Sequence, residues 1–361
     1  MRRRGTTGYL AVIVLSTMAV GACGEDDGDP FGATTTGSTT SEIDAGTGPD
    51  SGMLDSGPTE DAGPDAGAGR QAGMPLFAPG EVATFPTTIA GSDDSADLYH
   101  PNPPDLAQGD YLFPLAVLLQ GANVGRQHYS GFAETVARYG FVVVVPDHES
   151  STLMGTGLYS QNQVVPWVLD QLVVESQGAG PLAGKLDVGT MVLLGHSYGG
   201  VVGMYVLQNI CQLPFCSGGF TRPAAVAGAA FYGTNMKGPL GGPIAPIHNE
   251  GLPVALVQGT VDGKASVADA QETFDQIQVP PKGLVTITGA NHYGLCNSDN
   301  PAGAQADPNV PTIDQAVAQE TAARWSAVYL RATVLGDPLD LEYLSTIGPG
   351  QDGNVTVVST P

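Results

Sequence analysis

Ser197 stands in the pentad Gly195-His196-Ser197-Tyr198-Gly199, directly after the apolar run Met191-Val192-Leu193-Leu194 and ahead of a helix-like segment. A G-x-S-x-G pattern between a strand and a helix holds a serine on a tight turn, with its hydroxyl lifted clear of the backbone at a helix N-terminus. The glycines suit that role, because the chain can double back and the helix can close on the sheet only where no Cβ intervenes. A serine hydroxyl is a poor nucleophile until a base takes its proton and a carboxylate orients that base. In this setting the partners are expected in the order acid, then histidine, each just after a strand. Asp262 follows the apolar run at 254–257 within Gln258-Gly259-Thr260-Val261-Asp262-Gly263, and His292 follows the run at 284–288 within Gly289-Ala290-Asn291-His292-Tyr293-Gly294. The expected catalytic set is therefore Ser197, Asp262 and His292.

The rival carboxylates fit less well. Asp147 also ends a strand but precedes the serine, Asp187 lies before the serine's own strand, and Asp269 falls inside a helix. His196 belongs to the turn, where packing is its ordinary role. His100, His128 and His248 have no paired ligand spacing, so no metal site is expected. An oxyanion formed at the substrate carbonyl needs two backbone N–H groups aimed at one point. Tyr198, after the nucleophile, supplies one; Ala122, in the loop Gln120-Gly121-Ala122-Asn123 after the first buried strand, supplies the other. Gln120, Gly121 and His148 are the expected substrate-side residues.

The elements that must position these groups can be read in order. Residues 81–90 and 96–99 read as short antiparallel strands. Continuous apolar runs at 115–119, 141–145, 191–194, 224–231, 253–257 and 284–288 read as buried parallel strands. Between them helical spacing appears at 129–139, closed by Gly140, and at 164–175, 198–209 and 267–278, with a long last helix at 313–331. Alternating strands and helices after an antiparallel start predict an α/β protein with a mostly parallel, doubly wound sheet and helices on both faces. Such a sheet gathers the residues that end its strands at one carboxyl edge. Polar loops at 148–162 and 237–251 are expected to shape the substrate pocket, with no separate lid domain.

The 361 residues carry a formal charge of −23. Residues 24–69 hold 11 acidic and no basic side chains, and residues from 71 onward hold 25 acids against 9 Lys or Arg. An acidic body and an acidic N-terminal stretch argue against nucleic acid as a partner. Residues 1–22 read as an export signal: Arg2, Arg3 and Arg4, then an apolar core too short to span a membrane comfortably, then small residues. Residues 23–73, built from Asp, Gly, Ser, Thr, Ala and Pro with recurring Asp-Ala-Gly and Asp-Ser-Gly units, cannot bury enough apolar surface to order themselves. They read as a tether with a mean reach of roughly 40 Å. Residues 74–361 form the expected catalytic domain. Beyond Cys23, the three cysteines Cys211, Cys216 and Cys296 allow one disulfide and one lone thiol, and spacing leaves the pairing open.

Two resemblances sharpen this reading. Val20-Gly21-Ala22-Cys23 resembles a bacterial lipoprotein processing site, which implies a lipid on Cys23 and a membrane anchor in the cell envelope. Gly24, where an Asp would favour the inner membrane, implies the outer one. The segments LLQGANVGRQHYSGFAETVARYGFVVVVPDH, GHSYGG, GTVDG and GANHYG together resemble the α/β-hydrolase superfamily. Within it they are similar to the chlorophyllase-like, cutinase-like and polyester-hydrolase group, although Gln120 stands where that group usually carries histidine. The resemblance implies a serine esterase that cleaves small or polymeric carboxylic esters without a cofactor. Alternatives of different kinds are a peptidase or amidase on the same three residues, and a non-catalytic envelope lipoprotein that kept the fold for binding.

Overall fold

The computed structural model describes residues 82–102, 111–152, 155–238 and 241–360. The described residues form one compact unit. The expected signal segment 1–22, Cys23 and the tether 23–73 lie outside the described residues.

In chain order the first half comprises β1 (Val82–Ile89), β2 (Asp94–Pro101), β3 (Phe113–Leu119), α1 (Ser130–Arg138), β4 (Val142–Pro146), β5 (Glu149–Thr152), β6 (Gly155–Leu158) and α2 (Val164–Gln177). The second half comprises β7 (Leu186–His196), α3 (Tyr198–Leu207), β8 (Val226–Tyr232), β9 (Val254–Gly259), α4 (Val267–Gln276), β10 (Lys282–Ile287) and α5 (Gln315–Thr333). It ends with α6 (Pro338–Glu342), α7 (Gly348–Gln351) and β11 (Val355–Thr360). Nine strands form one sheet in the order β1-β2-β4-β3-β7-β8-β9-β10-β11. The β1–β2 and β2–β4 pairs are antiparallel, as is β10–β11; every pair from β4 through β10 is parallel. The protein is thus a mixed α/β structure with a mostly parallel central sheet.

The strand sequences explain their places. In β3 and β4 every residue is buried, as befits parallel strands covered on both faces. Alternate side chains serve two cores. Ala116 and Leu118 join a cluster with Phe132 and Val136 of α1 and with Trp325 and Tyr329 of α5. Leu115, Val117 and Leu119 join the opposite cluster with Val168 of α2, Val202 of α3 and Phe274 of α4. Gly140 closes α1 at φ 93, and the Asp314 carboxylate caps α5 by accepting the N–H groups of Ala316 and Val317.

Three elements differ from the sequence reading. The stretch read as a polar loop contains the β5–β6 hairpin, whose residues are all exposed or half-buried and bury no apolar face that periodicity could reveal. β7 begins at Leu186: Leu186 and Asp187 pair with Phe113 and Pro114, and a register shift then brings Met191 opposite Leu115, so residues 188–190 bulge out of the pairing with β3. β11 folds back on β10 after the last expected helix. The disulfide joins Cys211 to Cys216 across 5.1 Å between Cα atoms, and Cys296 is a buried free thiol.

Candidate active site

Ser197 occupies the single residue between β7 and α3, with φ 52 and ψ −117. A non-glycine residue there stores on the order of 1–3 kcal/mol of backbone strain, which the surroundings must hold in place. The Ser197 N–H donates to the carbonyl of Tyr232 at 2.9 Å, and the Ser197 carbonyl accepts the N–H groups of Gly200 and Val201. Close packing then accounts for both glycines of the pentad. A Cβ at Gly199 would collide with the carbonyl oxygen of Leu119 at the end of β3, and one at Gly195 would come within 2.9 Å of the Gly200 backbone.

The other two residues arrive on separate loops at the same sheet edge. The His292 Nε2 lies 2.8 Å from the Ser197 Oγ, and the His292 Nδ1 lies 2.8 Å from Asp262 Oδ2. Asp262 Oδ1 accepts the N–H groups of Lys264 (2.8 Å) and Ala265 (2.7 Å), and Oδ2 also accepts from the Gln258 side chain at 3.0 Å. Burial pushes the Asp262 carboxyl upward, but the His292 ring and these backbone donors outweigh it and hold it below the ordinary carboxylate value. An ionised carboxylate only accepts hydrogen bonds, so the His292 Nδ1 carries the proton and Nε2 offers its lone pair to the Ser197 hydroxyl.

Two further contacts fix the His292 backbone. Its N–H donates to Asp307 Oδ2 at 2.8 Å, and Asp307 also accepts from the N–H of Gly263, next to Asp262, and of Asn309. Its carbonyl accepts from the His196 Nε2 at 2.9 Å. His196 is pushed down to about 3, first by burial and then by the neighbouring His292 ring, so it is neutral. With its proton on Nε2, its Nδ1 must accept, and the Tyr129 hydroxyl donates to it at 2.9 Å. The same hydroxyl oxygen accepts the Gly121 N–H at 2.9 Å. A buried chain of hydrogen bonds therefore joins the loop after β3 to the loop that carries His292.

Beside Ser197 lies a cavity of about 60 Å³ bordered by Ala122, Val124, His292, Tyr293 and Gln305, with Lys264 at its edge. Among the described residues, the N–H groups of Ala122 and Tyr198 donate to no protein acceptor. Ala122 borders the cavity, and Tyr198 opens α3 beside Ser197, so both suit a developing negative charge there. The remaining expected residues are placed differently. The Gln120 amide donates to the His148 carbonyl at 2.8 Å and accepts from the Ser160 hydroxyl at 2.6 Å. His148 pairs with Asp94 at 2.8 Å and packs against Trp167. Neither these two nor Gly121, whose N–H is spent on Tyr129, borders the cavity at Ser197; they support the loop that does.

The β5–β6 hairpin, from the first expected pocket loop, borders a second cleft, of about 320 Å³, with Asn123, Gly125 and Gly303. No described residue of 237–251 borders either space; the segment after His292 supplies Gly303 and Gln305 instead. Tyr129 and Asp307 are the contributors that the sequence reading missed. Tyr129 carries only the signature of a core aromatic, and Asp307 sits in a loop without periodicity. Among the described residues, no three His, Cys, Asp or Glu side chains gather as metal ligands would. Compared with known protein families and with curated proteins, the chain matches none.

Proposed function

We propose that the chain is a serine hydrolase of the α/β-hydrolase fold that cleaves carboxylic esters, with Ser197 as nucleophile, His292 as base and Asp262 as orienting acid. The observation that carries this reading is the unbroken Asp262–His292–Ser197 hydrogen-bond line ending beside the N–H groups of Ala122 and Tyr198, which donate to no acceptor among the described residues. In the reaction, Ser197 Oγ attacks the ester carbonyl while His292 Nε2 takes its proton. The N–H groups of Ala122 and Tyr198 receive the oxyanion, and Asp262 stabilises the imidazolium. His292 then protonates the leaving alcohol, and water, activated by the same imidazole, releases the acid from Ser197. The strained elbow, the order of the three residues along the chain and the antiparallel start of the sheet support the fold assignment. The Cys23 motif supports a lipid-anchored protein of the bacterial envelope, its anchor preceding an acidic tether.

The test is fluorophosphonate labelling of the purified mature protein, together with turnover of short p-nitrophenyl esters and of matched amides. Wild type is expected to label once and to prefer the ester. Ser197→Ala is expected to abolish labelling and lower kcat on the order of 10⁶-fold. Equal labelling of variant and wild type would remove Ser197 from the mechanism, and a preference for the amide would make the protein a peptidase or amidase.

A further inference from the structure

Among the described residues, five of the nine Lys and Arg side chains, those of Arg126, Arg222, Lys237, Arg324 and Arg331, are held by carboxylates. The Lys282 ammonium donates to two backbone carbonyls above the Phe274 ring. Lys264 is different. It borders the cavity beside Ser197, and the partner described for its ammonium is the neutral side-chain oxygen of Gln305, another residue of that lining, at 2.9 Å. Three N–H donors on that nitrogen leave room for a further acceptor.

The backbone fixes where this ammonium sits. The Lys264 N–H donates to Asp262 Oδ1 at 2.8 Å, so the residue is pinned to the carboxylate that orients His292. Gln305 is pinned as well, its carbonyl accepting from the Tyr293 hydroxyl of the base loop. The two nearby carboxylates are occupied elsewhere. Asp262 faces the His292 ring and the N–H groups of residues 264 and 265, and Asp307 faces the N–H groups of Gly263, His292 and Asn309. Neither forms an ion pair with the ammonium. Burial lowers the affinity of Lys264 for its proton, offset only in part by Asp307 and Asp262, as befits a cation partly withdrawn from water without a close counter-ion. On the cavity side, the neutral backbone donors of Ala122 and Tyr198 serve the reacting carbonyl, which leaves Lys264 to recognise a second group on the substrate.

We infer that Lys264 is a specificity residue that selects esters bearing a free carboxylate close to the scissile bond. The inference rests on the esterase reading above. The carboxylate can reside on the acyl side, as in a monoester of a dicarboxylic acid, or on the alcohol side, as in an acylated hydroxy acid. The shared chemistry is an anion within reach of one lysine stem.

The test uses two pairs of near-isosteric substrates in a pH-stat: monoethyl succinate against ethyl pentanoate, and acetoxyacetate against propyl acetate. The readout is the ratio of kcat/KM within each pair, compared between wild type and variants so that intrinsic ester reactivity cancels. Lys264→Gln is expected to lower the charged-to-neutral ratio roughly fivefold in one pair, the upper range for a partly exposed charge pair. Lys264→Arg is expected to retain most of it. In wild type the same ratio is expected to fall as salt is raised toward 1 M, where screening shortens to about 3 Å; this arm needs no variant to fold. Ratios that do not move with Lys264→Gln or with salt in either pair would overturn the inference while leaving the esterase reading intact. Absence of turnover of all four esters, with no fluorophosphonate labelling, would overturn both.

Discussion

Replacing Tyr129 by Phe removes one oxygen atom and tests whether the loop after β3 and the loop carrying His292 are held as a unit. That oxygen accepts the Gly121 N–H and donates to His196 Nδ1, both at 2.9 Å, and Tyr129 is fully buried. Its loss strands one buried donor and one buried acceptor. At about 1–3 kcal/mol for each unsatisfied group, the variant should lose roughly 2–6 kcal/mol of stability. His196 cannot relieve the acceptor by taking up a proton near neutral pH, because burial holds its affinity down to about 3. Nor can the ring turn over freely, since its Nε2–H is committed to the His292 carbonyl. Urea unfolding followed by tryptophan fluorescence measures the stability term. On the proposed mechanism, the kinetic consequence falls on the oxyanion donor at Ala122, one residue beyond Gly121. Complete loss of one such donor costs about 100- to 1000-fold in rate. A loosened one should therefore cost on the order of tenfold in kcat, with a smaller change in KM. A Tyr129→Phe protein within about 0.5 kcal/mol of wild type and with unchanged kcat would refute the coupling.

Two further outcomes follow from the same geometry. Gly199→Ala forces a methyl group into the Leu119 carbonyl, where backbone and not a flexible side chain must yield. The variant should lose at least about 2 kcal/mol, by analogy with overpacked cores, and should lose fluorophosphonate labelling before it loses its far-ultraviolet circular dichroism. His196, neutral when folded with an affinity near 3, has an ordinary value of 6.5 when unfolded. Below pH 6.5 the unfolded chain binds the extra proton, so stability falls as pH drops from 6.5 toward 3, with a limiting slope of roughly 1.4 kcal/mol per pH unit from this residue. Urea midpoints across that window should decline, and a midpoint that holds steady or rises would contradict a buried neutral His196.

What could be read from the sequence and what could not divides along a physical line. The strands 115–119 and 141–145 announced themselves because a doubly covered parallel strand must be apolar throughout. The elbow was visible because steric exclusion at Gly195 and Gly199 leaves a local mark, and Asp262 and His292 because each closes such a strand. These are constraints between near neighbours in the chain. The hairpin at residues 149–158 was hidden, since a pair of polar strands on the surface leaves no hydrophobic period. Tyr129, His196 and Asp307 were hidden for another reason. Their partners lie 8, 67 and 96 residues away for the Tyr129–His196–His292 chain, and 15 away for Asp307. A single buried hydrogen bond across such a distance leaves no pattern in composition or spacing.

The same division separates what reacts from what orients. The reacting atoms of the proposed mechanism sit where backbone geometry is most constrained, so the pattern around Ser197 can be recognised from the sequence alone. The orienting contacts use ordinary residue types: a tyrosine at a core position, a histidine already inside the pentad, an aspartate in an irregular loop. None of these positions is fixed by steric exclusion as Gly195 and Gly199 are, so the supporting network is the freer set, and an exchange that strands a buried partner, as at Tyr129, costs stability instead. The substrate carboxylate assigned to Lys264 belongs with the freer set. Lys264 is pinned through its backbone N–H, a contact that almost any side chain at that position would preserve. Its ammonium can therefore be exchanged without disturbing Asp262, which makes substrate charge the property of this site most open to change by a single substitution.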